Sequence, residues 1–273
     1  MRFKHKLLLA SLAMGLIPAI AISLIAYFVS SDNMHQQVEH KLEALQGAKK
    51  DTIRQYFQTI EKQIVTFSGD HSVASAMNNM ADTAETITED LSQEKIEKYR
   101  RKVSAFYENS FSSAYENNAG HRLNNVSKYY RGMDDKAAAL QYHYIANNSY
   151  PIGKKDNLVK SEEDDSLYSA LHSEYHKTFR QFQEAFGFYD VFLVDAESGR
   201  IVYSVFKEVD YGTSLRNGPH ANSGIAEAYR KGMRLANPND YALVDFAPYA
   251  PSYDAPASFI SSPIQKDGET IGV

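Results

Sequence analysis

Cysteine is absent from all 273 residues. That excludes disulfides, thiolate metal sites and a cysteine nucleophile together. It is compatible with an oxidising exterior without requiring one. Tryptophan is absent too, so the large aromatic side chains are 19 tyrosines and 14 phenylalanines. A basic excess is missing: the formal net charge is −5, and no long run of lysine or arginine lies outside the N-terminus, which argues against a nucleic-acid partner. No low-complexity tract or internal repeat is visible. No G-x-S-x-G occurs. Gly212, Gly218 and Gly224, spaced six apart, do not make a phosphate loop.

What the chain does have is an uncharged apolar run, Leu7 to Val29, 23 residues long. As a helix it would span about 34 Å, enough for a hydrocarbon core of about 30 Å. Arg2, Lys4, His5 and Lys6 precede it, and Ser30, Ser31, Asp32 and Asn33 follow. The positive-inside rule keeps residues 1–6 in the cytoplasm and places everything after about residue 30 outside. A cleaved signal peptide would have a shorter apolar run and small residues at its end. Tyr27, Phe28 and Val29 stand there instead, so a retained anchor over 7–29 is the expectation. Pro18 falls mid-span, where it is tolerated if the backbone groups it frees find partners.

From Met34 to about Ala76 a helix is expected, with Ser31 or Asp32 as its cap. Val38, Leu42, Leu45, Ile53, Phe57, Ile60, Ile64 and Phe67 follow mostly four-three spacing. That seam suits either a core helix or a second copy of the chain. A second helix is written by Ile96, Tyr99, Val103 and Phe106, with Ser92 as its N-cap. Asn117-Asn118-Ala119-Gly120 interrupts, and Leu123, Val126, Tyr130, Ala137, Leu140 and Tyr144 suggest a third helix. Residues 30–146 thus read as a helical stalk or bundle.

The texture changes at Asn147. A helix is expected from Asp164 to Phe186, stopped by Gly187. Strands follow at 188–195 and 201–206 around a turn at 197–200, then a short helix at 222–230. Further strands are expected at 241–246, 258–265 and 270–273. The last ends at Val273 as an orphan half-strand, so the chain is expected to be part of a longer protein. The expected fold class is α+β: long N-terminal helices, then an incomplete antiparallel sheet over 147–273.

Three stretches carry a resemblance: Tyr189-Asp190-Val191-Phe192-Leu193-Val194-Asp195 with Gly199 and Tyr203-Ser204-Val205-Phe206-Lys207-Glu208; Asp245-Phe246-Ala247-Pro248-Tyr249-Ala250-Pro251-Ser252-Tyr253 leading into Pro256-Ala257-Ser258-Phe259-Ile260; and Asp267-Gly268-Glu269-Thr270-Ile271-Gly272-Val273. Together with Gln141 to Gly153, they resemble the Cache-type, extracellular PAS-like sensor domains of bacterial methyl-accepting chemotaxis proteins and related membrane sensor kinases. The resemblance covers about half of the chain by motif and the helical half by pattern only. It implies a receptor in the inner membrane with a periplasmic ligand-binding domain, dimeric, signalling by helix movement. It implies no enzyme activity and no cofactor or metal.

A PAS-like sheet binds small ligands in a mostly apolar pocket with a few inward polar groups. On that resemblance the candidate ligand-binding residues are Asp190, Tyr203, Lys207, Asp245, Tyr249 and Tyr253. Asp245 would meet an ammonium group, and the tyrosines would suit amphipathic ligands. Lys207 reads more readily as a solvated strand end, and each of the others as a core or turn residue. The ligand would be an amino acid, an amine or an organic acid. His172 and His176, four apart on a helix, lack a third metal ligand and read as packing or surface residues. A kinase or cyclase sensor, an anchored hydrolase and a non-binding adaptor remain as alternatives.

Overall fold

The computed structural model describes residues 3–273. Contacts divide the chain into two compact units, meeting in sequence at Thr59 and Ile60.

The first unit is helix throughout its described residues and forms most of α1 (Phe3–Ser68). No glycine or proline lies between Ser30 and Asn33, so the helix passes through the expected cap at Ser31 or Asp32 without a break. Pro18 sits inside it; lacking an N–H, it leaves the Met14 carbonyl without its usual helical donor. Side chains from Leu7 to Val29 are exposed, and α1 is the one described helix long and apolar enough to cross a membrane.

In the second unit α1 stops at Ser68, short of the expected Ala76. Gly69 follows, and the Asp70 carboxylate accepts the Ser72 N–H at 2.7 Å, starting α2 (His71–Thr86). Ser92 caps α3 (Gln93–Ala105) as expected, accepting the Lys95 N–H. A π-helical segment, Phe106–Phe111, continues into α4 (Ser112–Ala119), which closes at left-handed Gly120. The expected third helix is broken into three pieces. A 3₁₀ turn covers Val126–Tyr129, α5 is Asp135–Gln141, and a second π-helical segment runs over Tyr142–Ala146. The helix restarts at Asp134, which caps α5 through the Ala137 N–H, at 2.7 Å. Helix α6 (Leu167–Phe186) begins at Ser166 and ends at Gly187, φ +72°.

The strands are β1 (Phe192–Val194), β2 (Ile201–Ser204), β3 (Ala242–Tyr249), β4 (Ala255–Ser261), β5 (Ile264–Lys266) and β6 (Glu269–Gly272), with α7 (Gly224–Gly232) between β2 and β3. They form three antiparallel ladders, β1–β2, β3–β4 and β5–β6. Val194 and Val273 exchange backbone hydrogen bonds at 2.9 and 3.0 Å, and Ala196 donates to Ile271. So β6 has a bonded neighbour on each side and is no orphan. The strand expected at 258–265 is two strands, because Pro263 brings no N–H. Following the bonds, the neighbours run β2, β1, β6, β5, and β3–β4 forms a ladder of its own.

β1 and β2 are shorter than expected. Asp190 takes over where the ladder would extend: its carboxylate accepts the N–H groups of Val191 and Phe206. One apolar core unites α2, α3, both π-helical segments, α6 and the β1–β2 ladder, and eight tyrosines, from Tyr99 to Tyr211, are among its fully buried side chains. A smaller core lies between α7 and the strands, around Ile201, Leu215, Ile225 and Tyr249.

Gly272 is fixed by close approach: a Cβ there would lie 2.6 Å from both Met77 Sδ and the Val194 carbonyl. Gly272→Ala should therefore push β6 off β1 and cost about 1–3 kcal/mol, seen as a melting-temperature drop of about 2–4 °C per kcal/mol. Gly268, with open space around it, should tolerate alanine with only the strain of its φ of +84°.

Candidate functional site

After β2 the chain enters a tight polar turn. Ser204 Oγ donates to Asp190 at 2.6 Å and accepts the Lys207 N–H at 2.9 Å. Lys207 is held at φ +60°, a left-handed conformation that a lysine rarely adopts. It is 2% exposed, not the solvated strand end its position suggested.

Its ammonium donates to the Val205 carbonyl at 3.0 Å and lies 3.4 Å from both ring nitrogens of His176. His176 Nε2 is 2.6 Å from the Asp156 carbonyl and so carries the proton; Nδ1 then accepts from the Tyr203 hydroxyl at 2.7 Å. Burial, and then the Lys207 charge, push His176 down to about 3, keeping it neutral. His172 stacks on it at 4.7 Å, so the pair packs in the core. No group of three potential metal ligands occurs among the described residues.

Lys207 lines a small pocket with Phe106, Phe111, Ile145, Lys155, Glu208 and Tyr253 among its walls. Its volume of about 20 Å³ holds about one water molecule. Lys155, 6% exposed, donates to the carbonyls of Asn148 and Tyr150 at 3.2 and 3.1 Å and sits 5.4 Å from the Phe106 ring centre. Burial lowers Lys155 to about 8 and Lys207 to about 7. Glu208 accepts the hydroxyls of Tyr189 and Ser252 at 2.8 and 2.7 Å. Burial, then the neighbouring Asp210 charge, push it up to about 8 against those two donors.

Irregular backbone converges on this pocket. Lys207 and Tyr253 are both left-handed at φ +60°. Phe106 and Phe111 come from one π-helical segment and Ile145 from the other. Strained conformations and π-bulges gather at functional sites, and this pocket collects both.

Of the six expected residues, Lys207 and Tyr253 line the pocket. Tyr203 and Asp190 stand behind Lys207, the first through His176 and the second through Ser204. Tyr249 lies elsewhere, donating to the Asp210 carboxylate. The other Asp210 oxygen has no partner, and burial raises this acid to about 6. Asp245 is exposed and its carboxylate accepts only the Phe246 N–H, so it meets no inward-facing group. Lys155 and Glu208 were not anticipated. Lys155 follows a proline-glycine loop, and Glu208 adjoins a lysine at a strand end, both ordinary settings for solvated charges. Two larger clefts, of about 200 and 440 Å³, are less built: Arg100 in the first is engaged by Asp135 and the Met133 carbonyl, and the second follows the loop 147–163.

No family model, no curated protein and no solved structure matches this chain.

The Glu208 carboxyl has its folded value raised to about 8 from 4.5. Between those limits the unfolded chain is ionised and the folded chain holds the proton, so this group's contribution to stability is full below 4.5 and is lost as pH rises to about 8. Glu208→Gln removes the titration. Its melting temperature, compared with that of the parent, should rise steadily from pH 5 to pH 8; a difference constant with pH would show an ordinary carboxylate.

Proposed function

We propose that this chain is the sensor part of a membrane-anchored receptor, in which α1 holds residues 60–273 outside the membrane and a small molecule binds the pocket around Lys207. The observation that carries this reading is the convergence of two left-handed residues, two π-helical segments and two buried lysines on one pocket. A scaffold kept only for shape gains nothing from such strain, whereas a ligand site uses it to hold groups ready.

The sequence resemblance gives the class: a Cache-type sensor of a chemotaxis transducer in the inner membrane. The antiparallel run of bonded neighbours β2, β1, β6, β5, with α7 and the β3–β4 hairpin between β2 and β5 in the chain, is in keeping with that class. A ligand would act by binding two arrangements of the pocket unequally; the π-helical segments, with their displaced hydrogen bonds, are the elements that can change register. The movement would pass along α1.

Two measurements test the reading. The full chain in lipid nanodiscs, screened by thermal shift and calorimetry against amino acids, amines and organic acids, should bind at least one compound with a raised melting temperature. A well-folded protein indifferent to the whole panel would remove the receptor reading. The native absence of cysteine allows a clean topology test: a single cysteine replacing exposed Glu89 should react with a membrane-impermeant maleimide in intact cells once any outer barrier is opened. Labelling only after the inner membrane is lysed would reverse the orientation.

A further inference from the structure

The pocket has an unbalanced set of charges. Lys155 and Lys207 both line it, both are almost fully buried, and both spend hydrogen bonds on backbone carbonyls. Among the described residues neither ammonium has an ion-pair partner within 4.0 Å. A buried charge is costly unless it is paired, and an unpaired one gives up its proton more easily, so an anion entering beside these lysines would be favoured.

The acids nearby are occupied elsewhere. Asp156 pairs with Arg180 at 3.0 Å, and Asp190 is saturated by Ser204 and two backbone N–H groups. Glu208, the acid in the pocket wall, is turned to Tyr189 and Ser252. The two lysines thus meet only neutral acceptors, backbone carbonyls and the His176 ring, and no anion. The remaining wall is aromatic and aliphatic: Phe106, Phe111, Ile145 and Tyr253. Cationic donors beside an apolar wall select a ligand with one negative end and a hydrocarbon remainder. An amine would bring a third positive charge. A fully polar anion such as phosphate would leave the apolar wall unused and most of its oxygens without donors.

We propose that the pocket binds a short-chain monocarboxylate, its carboxylate held by Lys155 and Lys207 and its carbon chain set against Phe106, Phe111 and Tyr253. This rests on the receptor reading above and narrows it to one ligand class. The space of about 20 Å³ is smaller than such a ligand, so binding must shift the walls. Phe106, Phe111 and Ile145, carried on the π-helical segments, are the walls placed to move.

The full chain in nanodiscs is titrated by calorimetry with acetate, propionate and butyrate, with propionamide and propylammonium as matched neutral and cationic analogues, and with inorganic phosphate. At least one carboxylate should bind, with its amide and amine analogues at least tenfold weaker and phosphate weaker than the best carboxylate. Lys155→Met and Lys207→Met, each checked for fold by circular dichroism and melting, should weaken the carboxylate at least tenfold. Asp245→Ala, at an exposed position away from the lysines' partners, should leave it unchanged. The ligand series needs no variant, so the proposal can fail even if one lysine proves essential for folding. Equal binding of propionamide or propylammonium, tighter binding of phosphate, or full affinity in both folded methionine variants would each overturn it. Failure of every carboxylate, with some other compound of the wider screen still binding, would overturn the ligand class and leave the receptor reading standing. Silence across the whole screen would remove both.

Discussion

Between β2 and α7 the chain from Val205 to Leu215 runs through the interior without regular secondary structure, and nearly all of it is buried. Interior backbone without a ladder must find its hydrogen bonds from side chains or lose stability. Helical side chains, and Arg200 at the start of β2, supply them. Tyr107 and Gln141 both donate to the Val209 carbonyl at 2.8 Å, Gln141 also reaches the Tyr211 carbonyl, and Arg200 donates to Gly212 at 2.8 Å. Tyr168 does the same for the Val202 carbonyl on β2. The helices and the strands of the second unit are therefore tied into one core by the segment between β2 and α7, which takes donors from the helices as well as from β2 and its flank. An orphaned interior carbonyl costs about 1–3 kcal/mol, so each of these contacts is a sizeable share of a domain's net stability.

This requirement explains the composition. A tyrosine fills core volume with its ring and delivers one hydroxyl at its tip, which suits a core crossed by an irregular chain. Arg200 fills the same need with more donors. Its side chain is 5% exposed, yet it meets Asp134 at 2.7 Å and Glu85 at 3.2 Å as well as the Gly212 carbonyl. It thereby ties the end of α2 and the cap of α5 to the start of β2. Both carboxylates are about half exposed, so the arrangement locates the elements more than it stabilises them.

Local chemistry made much of this readable beforehand. The Ser92 cap, the stop at Gly187, the turn at 197–200 and the apolar helix over 7–29 follow from short-range signals. What failed depended on longer-range bonds. The stripe from Leu123 to Tyr144 kept helical spacing while the chain broke around it, because Asp134 and the π-helical segments answer to the core and to Arg200, not to periodicity. β1 was overestimated because its first residues yield to the Asp190 carboxylate, which no alternation pattern reveals. At the site, Lys207 was found for its position and misjudged for its setting. Lys155 was missed because a lysine after Pro-Ile-Gly-Lys looks solvated until the fold buries it. Asp245 was singled out for its aromatic-proline surroundings, but it falls in the run 245–248, where the β3–β4 register shifts and every residue is exposed.

The left-handed backbone at residue 207 places two demands on one position. Folding alone would favour glycine, which takes that conformation freely, while a lysine there gives up about 1 kcal/mol or more. Glycine would also spare the interior an ammonium. A protein that keeps lysine at such a place has settled on less stability than its own fold permits, and under the proposed reading substitutions that make the domain sturdier at 207 should be the ones that empty its pocket.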